Sequence, residues 1–386
     1  MRAHRLTAEW APRAPLTAQQ RQTRKVPAKL AWRHPALREV ELPDPAPGPG
    51  EVVVRVRACG VCGSDTHCVE TDDEGYVLFS GPARLPVILG HEYTGEVVAV
   101  GAGVRSVRVG ELVAGEGMLS CGECEACRKG MPNQCLHLEM LGFAVDGAFA
   151  ELVRVPSRSL WSLDGVAVRL GDPDLALELG ALVEPIACPF TGIWGPAGGM
   201  TPGSHVAVYG CGPIGLGAVL LARLAGAATV AAFDVVPERV ALARALGADV
   251  AWTPQALAAA GGSPEEVVRE LTAGWGADLQ VEAAGAALHT FPAIEASLAP
   301  QGVVLYLGRT GERAPVGLDA LVSGAARVVG SRGHSGGGAF PQVIRLLERG
   351  LLDPGPMITW REPLGRVAAA LERSRSRADG KILIRA

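Results

Sequence analysis

The second half of the chain alternates short apolar runs with helix-forming segments, and no other feature restricts the possible folds as much. From about Leu182 the runs "HVAVYG", "TVAAFD", "ADLQVEAAG", "GVVLYLG" and "ARVVGS" are separated by alanine- and leucine-rich segments such as "ERVALARALGA". Strands that are apolar on both faces and alternate with helices are typical of a parallel sheet covered on both sides. The sequence therefore predicts an α/β domain with a doubly wound parallel sheet over residues 184–333.

A glycine-rich turn follows the first of these runs. The strand "HVAVYG" runs into "GCGPIG", in which Gly210, Gly212 and Gly215 form the pattern G-x-G-x-x-G around Pro213 and Ile214. At a strand-to-helix turn the first glycine makes the turn, the second lets the backbone approach a pyrophosphate, and the third lets helix and strand pack closely. The turn predicts a Rossmann domain whose five turn residues contact a dinucleotide.

Two charged residues near the end of the next strand bear on the choice of cofactor. Asp234 ends "TVAAFD", 19 residues after Gly215. A carboxylate at this place binds the ribose hydroxyls and repels a 2'-phosphate, which favours NAD over NADP. Arg239 lies nearby and leaves NADP as an alternative. Asp234 can also be interpreted as the N-cap of the following helix.

The first half of the chain has a different pattern. Between "EVVVRVRACG" and "YTGEVVAVGAGVRSVRVGELVAG" short valine-rich runs alternate in polarity and are separated by glycines. This is typical of a small, mostly antiparallel barrel. We expect that barrel domain over residues 26–183 and 334–386, with the last run, "KILIRA", returning to it as a strand. Residues 1–25 are rich in arginine and show little apolar periodicity, so a flexible basic tail is expected there.

Four of the nine cysteines fall in the segment "SCGECEACRKGMPNQC", with the spacing C-x2-C-x2-C-x7-C. A metal site is favoured over a disulfide framework, because the chain is long, its cysteine count is odd and no secretory leader is recognisable. Four thiolates complete the tetrahedral coordination of zinc, so the ion would be structural. An iron–sulfur cluster and free thiols are the alternatives. The predicted ligands are Cys121, Cys124, Cys127 and Cys135.

Charge and hydropathy argue against two kinds of partner. The chain has 386 residues and a formal net charge of −4, which does not favour nucleic acid or an acidic membrane surface. The mean hydropathy is +0.22, but charged residues such as Arg223 interrupt the apolar runs before the ~18 residues that a membrane span needs. We expect a cytoplasmic protein that binds neither nucleic acid nor membrane.

Two further segments, "CGVCGSDTH" and "LPVILGHEYTGEV", precede the four-cysteine segment. The order of all these motifs resembles the zinc-dependent medium-chain alcohol and polyol dehydrogenase family, from about Val26 to the C-terminus. The resemblance implies a GroES-like catalytic barrel, a Rossmann domain that binds NAD, two zinc ions per chain and a homodimer or homotetramer. A zinc-free quinone or enoyl reductase shares this fold, but the two metal patterns argue against it.

The resemblance also assigns the catalytic zinc. Cys62 matches the thiolate ligand and His91 the imidazole ligand, whereas the residues alone leave Cys59 as an alternative thiol. Glu92 resembles the acid beside the metal that exchanges on and off it. Asp65 fits an acceptor that orients His91. Ordinary ion pairing is the alternative for both acids.

The third protein ligand of that zinc is open between two residues of "LVEPIACPFTG". In the polyol branch a glutamate followed by proline fills this place, which matches Glu184. Simple alcohol dehydrogenases use a cysteine, which would be Cys188. We favour Glu184, which would give a more oxygen-rich zinc suited to a hydroxylated substrate.

The resemblance implies NAD-linked oxidation of a secondary hydroxyl, with zinc as the Lewis acid. Ser64 and His67 match the family's proton relay, in which the serine is near the substrate oxygen and the histidine nearer solvent. The alternative for His67 is an ordinary surface histidine.

Three segments, "TDDEGYVLFSG", "LGFAVDGAFAELV" and "VGSRGHSGGGAFPQVI", resemble enzymes that oxidise keto-inositols such as scyllo-inosose. We therefore expect a cyclitol or keto-cyclitol substrate. The alternatives are an open-chain sugar alcohol, threonine or an amino-cyclitol, and a catalytically silent zinc-binding relative. Candidate hydrogen-bonding residues, which a solvated acidic loop would explain equally, are Asp72, Asp73, Glu74 and Tyr76. His334 is a candidate hinge residue.

Overall fold

The computed structural model describes residues 1–309 and 313–386, which form two compact units. The first unit comprises Met1–Glu184, Trp360–Ser376 and Lys381–Ala386. The second comprises Pro185–Thr359 and Arg377–Gly380. The chain therefore returns to the first unit at Trp360, later than the expected residue 334.

The elements of the described residues are numbered here in chain order. The strands are β1 Arg2–Trp10, β2 Val26–Pro27, β3 Trp32–Glu41, β4 Glu51–Gly60, β5 Pro82–Ala83, β6 Val87–Ile88, β7 Glu92–Val100, β8 Leu112–Gly115, β9 Met118–Leu119, β10 Glu139–Met140, β11 Leu152–Pro156, β12 Leu160–Ser162, β13 His205–Tyr209, β14 Thr229–Phe233, β15 Val250–Trp252, β16 Ala277–Glu282, β17 Leu298–Tyr306, β18 Arg327–Gly330, β19 Ile358–Pro363 and β20 Lys381–Arg385. The α-helices are α1 Ala18–Thr23, α2 Gly63–Val69, α3 Glu125–Arg128, α4 Asp164–Leu170, α5 Pro173–Gly180, α6 Val183–Trp194, α7 Pro213–Leu224, α8 Pro237–Ala245, α9 Pro254–Ala259, α10 Pro264–Leu271, α11 Ala287–Ala296, α12 Leu318–Gly324, α13 Ala339–Glu348 and α14 Val367–Ser374. Short 3₁₀ turns are Ala28–Leu30, Pro132–Gln134, Ser157–Ser159, Gly355–Met357 and Leu364–Arg366.

Antiparallel strands build the first unit, which confirms the predicted barrel-like domain. The long strand β4 is the centre of its main sheet, because it pairs with β7, β11 and β20. Its alternate residues Val52, Val54 and Val56 are buried in the core, at 0%, 0% and 2% exposure. The strand order of this sheet is β12-β8-β7-β4-β20-β19, with β11 paired to β4 beside that path.

The second unit contains the predicted doubly wound sheet. Its strands pair in parallel in the order β15-β14-β13-β16-β17-β18. Each of the five predicted runs forms one of these strands, and the three-residue β15 completes the sheet. The chain runs outward from β13 to β15 and then returns to β16 on the other side of β13. A crevice for a ligand is therefore expected at the carboxyl ends of β13 and β16.

The N-terminal residues differ from the expected flexible tail. Strand β1 pairs with β3 along its length and with β6, and it buries Ala3 and Leu6 completely. The basic side chains lie outside the core, where Arg2 pairs with Glu151 at 2.8 Å. A few apolar residues between arginines are enough to form a strand here, because β3 supplies the apolar residues that pair with them.

In the described part of the chain, no single helix is long and apolar enough to cross a membrane. The bent pair α5 and α6 reaches that length and apolarity only when the two helices are counted together.

Candidate functional site

The four cysteines of the C-x2-C-x2-C-x7-C segment converge in a small lobe of the first unit. Their Sγ atoms lie 3.6 Å apart for Cys124 and Cys127, 3.8 Å for Cys124 and Cys135, and 3.5 Å for Cys135 and Cys121. Four sulfurs at a Zn–S length of about 2.3 Å form a tetrahedron with edges of about 3.8 Å, whereas a disulfide needs about 2.05 Å. Hydrogen bonds from the backbone N–H groups of Cys127 and Leu136 lower the pKa of Cys124 to about 6. The lobe therefore fits a closed, four-thiolate zinc site.

A second group of ligand atoms is arranged around the start of α2. Cys62 is the N-cap of this helix, and its backbone N–H donates to Asp65 Oδ2 at 3.0 Å. Asp65 Oδ1 accepts from the backbone N–H of Gly90 at 3.3 Å and lies 3.5 Å from His91 Nδ1. The fully buried Asp65 thus fixes the start of the helix and the turn before His91 with one carboxylate.

This arrangement brings Cys62, His91 and Glu92 together, with ligand atoms within 4.8 Å of one another. Since His91 Nδ1 faces Asp65, its Nε2 is left for the side where Cys62 lies. Burial lowers the pKa of His91, but Asp65 and Cys62 outweigh burial and raise it well above its usual value. The surroundings therefore favour a positive charge, which fits a metal cation. Cys59, the alternative thiol, is fully buried within β4 and is not part of this group.

Glu92 has a partner that sequence reasoning missed. Lys381, on β20, donates to both carboxylate oxygens of Glu92, at 2.8 and 2.6 Å, and to the carbonyl oxygen of Val61 at 3.0 Å. The side chains of Lys381 and Glu92 are 0% and 1% exposed. Burial raises the pKa of Glu92 above its usual value, and Lys381 opposes this rise. No local pattern pointed to Lys381, because the two residues are 289 positions apart.

The two candidates for the third ligand lie one turn apart on α6. The charge of Glu184 raises the pKa of Glu92, so Glu184 is close to the group formed with Cys62 and His91. Cys188 offers its sulfur within 4.8 Å of a ring nitrogen of His334, which is 1% exposed. Glu184 also offers an oxygen within 4.8 Å of the Cys188 sulfur, so the two candidates are direct neighbours on α6.

The predicted relay residues lie on α2. Ser64 and His67 are three residues apart, which places them on the same face of the helix. The side chain of His67 is 44% accessible, and its Nε2 lies 3.9 Å from Glu70 Oε2. Ser64 and His67 are both half-buried, and the accessible imidazole of His67 can pass a proton to solvent.

Of the four candidates for substrate contact in the "TDDEGYVLFSG" segment, two are held within the protein. Asp72 Oδ1 accepts from the backbone N–H groups of Glu74 and Tyr76, at 3.1 and 2.8 Å, and Oδ2 accepts from Arg13 at 2.7 Å. Tyr76 is 7% exposed. Only Asp73 and Glu74 are exposed.

The glycine turn between β13 and α7 meets the steric requirements of a cofactor loop. Gly210 has a φ of +91°, and a Cβ there would lie 2.5 Å from the backbone nitrogen of Ala284. A Cβ at Gly215 would lie 1.8 Å from the carbonyl oxygen of Gly210. At Gly212, the N-cap of α7, the nearest atom to a Cβ is Nη1 of Arg239 at 3.5 Å. The second glycine is therefore the one whose open side can receive a ligand, and Pro213 and Ile214 begin the helix behind it.

Asp234 follows β14 and contacts the same turn. Its Oδ2 accepts from the backbone N–H of Cys211 at 2.6 Å and its Oδ1 from that of Val236 at 2.8 Å. The N-cap of α8 is Val236, so Asp234 does not occupy the alternative position. Arg239 donates to the carbonyl oxygen of Asp379 at 3.3 Å, and burial lowers its pKa.

These features define a two-domain dehydrogenase. Residues 48–165 match the family "Alcohol dehydrogenase GroES-like domain", and residues 213–349 match the family "Zinc-binding dehydrogenase". The chain belongs to the zinc-binding dehydrogenase family and is an alcohol/polyol dehydrogenase.

Two curated relatives are similar to this chain over most of its length. Scyllo-inosose 3-dehydrogenase of Thermotoga maritima is 38% identical over 91% of this chain and 91% of its own length. L-threonine 3-dehydrogenase of Symbiobacterium thermophilum is 34% identical over 89% of this chain and 93% of its own.

Solved structures share both domains. The structure of an alcohol dehydrogenase candidate from Thermotoga maritima is 35% identical, covers 100% of both chains and has a TM-score of 0.93. A zinc-binding dehydrogenase candidate from Sinorhizobium meliloti, solved with NADP, is 29% identical with a TM-score of 0.78 over 99% of both chains. An alcohol dehydrogenase from Escherichia coli, solved with NADH, is 27% identical with a TM-score of 0.77 over 100% of both chains.

Proposed function

We propose that the protein oxidises a secondary hydroxyl of a cyclitol or keto-cyclitol of the scyllo-inosose type, with NAD as the oxidant. The convergence of Cys62, His91 and Glu92 beside α2 carries this proposal, because these ligand types suit a zinc ion that keeps a position open for substrate. Similarity to scyllo-inosose 3-dehydrogenase supports the substrate class. When bound, zinc supplies a Lewis acid for the substrate hydroxyl and the nicotinamide supplies a hydride acceptor.

The residues of the chain then have distinct roles. Asp65 holds the imidazole of His91 through Nδ1 and keeps Nε2 directed at the metal position. Glu184 is the third ligand, since its charge raises the pKa of Glu92, which lies beside Cys62 and His91. The hydroxyl of Ser64 accepts the proton of the substrate hydroxyl as it gives up its own proton to His67, which releases a proton to solvent. Such a transfer is typically worth about 10² to 10⁴ in rate.

The cofactor proposal depends on the glycine turn and Asp234. The open side of Gly212 receives the pyrophosphate. The carboxylate of Asp234 accepts from the adenosine ribose and disfavours a 2'-phosphate, which makes NAD the preferred cofactor. The Cys121–Cys135 lobe holds the second, structural zinc.

We also propose that two copies of the chain associate through the second unit. Strand β18 ends the order of its sheet, and the neighbouring side chains of Leu318, Val322 and Val328 are 72%, 80% and 39% exposed. A sheet edge with exposed apolar residues is a ready pairing surface. Light scattering should give the molar mass of a dimer or tetramer. The substitution Val322→Glu should lower the measured molar mass of the assembly.

The decisive experiment is NADH formation across a panel of inositols, inososes, sugar alcohols, L-threonine and short aliphatic alcohols. Turnover of a cyclitol that Cys62→Ala abolishes is the expected result. An analogue without a ring hydroxyl leaves site groups unpaired and can be rejected by about 10⁴-fold. Efficient oxidation of butanol together with no reaction of any cyclitol would exclude the proposed substrate.

L-threonine is the second candidate, because the L-threonine 3-dehydrogenase of Symbiobacterium thermophilum is 34% identical to this chain. It differs from a cyclitol by carrying an ammonium and a carboxylate on the carbon next to the one that bears its hydroxyl. Oxidation of L-threonine at more than ten times the efficiency of every cyclitol, a gap of about 1.4 kcal/mol, would decide in its favour.

A further inference from the structure

The loop formed by residues 71–81, here called the substrate loop, is anchored on the N-terminal arm, residues 11–25. The guanidinium of Arg13 donates to Asp72 Oδ2 at 2.7 Å and lies 4.1 Å from the centre of the Tyr76 ring. The backbone N–H of Arg13 donates to the carbonyl oxygen of Leu30 at 2.9 Å. One arm residue with a fixed backbone therefore holds two loop residues through both charge and ring stacking.

Asp72 transmits this anchoring along the loop. Its other carboxylate oxygen accepts from the backbone N–H groups of Glu74 and Tyr76, so the turn between them depends on the orientation of the carboxylate. Partial burial raises the pKa of Asp72, but the hydrogen bonds from Tyr76 and Arg13 outweigh burial and lower it below its usual value. The carboxylate therefore stays charged and bonded at neutral pH.

The other end of the loop reaches a proposed zinc ligand. Phe79 stacks on Phe143 with a centroid distance of 4.5 Å and an interplanar angle of 17°. Phe143 in turn lies 5.0 Å from the ring of His91. The backbone N–H of Phe79 donates to the carbonyl oxygen of His67, at 3.0 Å, on the helix that also carries Ser64. The partly exposed Phe79 is thus hydrogen-bonded to the relay helix and is separated from His91 by the ring of Phe143 alone.

We propose that the N-terminal arm is part of the substrate-selecting machinery, with Arg13 as a positioning residue that fixes the substrate loop and, through it, Phe79. This inference rests on the proposed function, since it concerns how that site holds a hydroxylated ring. A displacement of the loop weakens contacts with the ring that are equally strong in the ground state and in the transition state, which raises KM without lowering kcat. The same displacement matters less for a small alcohol that does not reach the loop.

The test compares three variants of the full-length chain. Arg13→Gln removes the charge and the stacking cation. Arg13→Lys keeps the charge but loses the planar stack, so it should restore part of the effect. Arg24→Gln is the matched control, because Arg24 belongs to the same arm and stacks on Trp10 at 5.6 Å.

The first measurement does not depend on activity. In Arg13→Gln, chymotrypsin should cleave the loop at Leu78 and Phe79 about tenfold faster than in the unmodified protein. Arg13→Lys should be intermediate and Arg24→Gln unchanged. Zinc content should be equal in all four proteins.

The second measurement is steady-state kinetics with the best substrate of the panel and with a short alcohol. Arg13→Gln should raise KM for the cyclic substrate about tenfold, with kcat within about twofold, and leave the short alcohol unaffected. Equal effects of Arg13→Gln and Arg24→Gln, or faster cleavage without a change in KM, would overturn the inference. If no cyclitol is oxidised at all, the proposed function fails, and the inference is then judged on the cleavage rates and on KM for whichever substrate is oxidised.

Discussion

Two alanine substitutions in the glycine turn should separate folding from cofactor binding. A methyl group at position 215 meets the carbonyl oxygen of Gly210 at 1.8 Å and its carbon at 2.9 Å. At position 212 it meets only the guanidinium of Arg239, at 3.5 Å, and the φ of −68° suits any residue. Gly215→Ala therefore clashes with the protein's own backbone. Gly212→Ala would clash only with a cofactor bound against the glycine turn.

The size of each effect follows from these contacts. Carbon atoms pack at about 3.5–4.0 Å, so the backbone at position 215 must move by more than about 1 Å. Overpacking of this kind costs about 1–3 kcal/mol, or about 2–12 °C in melting temperature for a domain of 150–250 residues. Gly212→Ala should melt within about 2 °C of the unmodified protein, yet bind NADH at least about tenfold more weakly.

Differential scanning calorimetry and a fluorescence titration with NADH measure the two quantities. Gly215→Ala should lose both stability and binding, and Gly212→Ala only binding. Normal NADH affinity in Gly212→Ala would mean that the pyrophosphate does not lie against this turn. An unchanged melting temperature in Gly215→Ala would refute the steric argument itself.

Three other predictions concern the first unit. Cys124→Ser should lower the zinc content from about two ions per chain to about one and make the lobe sensitive to proteolysis; unchanged metal analysis would contradict the four-thiolate site. Lys381→Met should cost about 3–5 kcal/mol, because it leaves Glu92 buried without its partner, and Lys381→Met/Glu92→Gln should recover more than half of this in calorimetry; a double variant no more stable than the single one would be contrary evidence. Glu178, on α5, pairs with Arg361 at 2.8 Å and with Arg385. Burial raises the pKa of Glu178, but these two arginines outweigh burial and lower it below its usual value. The stability that these ion pairs contribute is present above about pH 4.5 and is lost as pH falls through the lowered pKa. The melting temperature of Glu178→Gln should therefore lie below that of the unmodified protein at pH 7, and the difference should shrink as the pH falls below about 4.5.

The features that could be predicted from the sequence have their chemistry in neighbouring residues. The strand, turn and helix around Gly212 form one continuous segment, and so do the four cysteines that follow Ser120. Steric rules and ligand spacing act over such short distances, so the pattern alone specifies the local structure. The parallel sheet was predictable for the same reason, since each apolar run forms its own strand.

The features that could not be predicted arise from contacts between distant segments. Lys381 is an ordinary lysine in the sequence and becomes a buried partner of Glu92 only because β20 pairs with β4. Arg13 lies in a segment for which the sequence predicted a flexible basic tail, because the pairing of β1 with β3 involves residues distant in the chain. Asp72 was a candidate for substrate contact because it is acidic, yet its carboxylate is already bonded within the loop.

Asp234 shows that a structural and a binding role can coexist in one carboxylate. Its two oxygens accept from the backbone of Cys211 and Val236, but an ionised carboxylate has about four acceptor positions, so about two are left for ribose hydroxyls. Replacing it by glycine should therefore weaken NAD and NADP together, because the glycine turn loses its brace, and weaken NAD more, because only NAD loses a favourable contact. The ratio of the two dissociation constants, measured with the melting temperature, separates these effects. A ratio that stays constant while the melting temperature falls would leave Asp234 with the structural role alone.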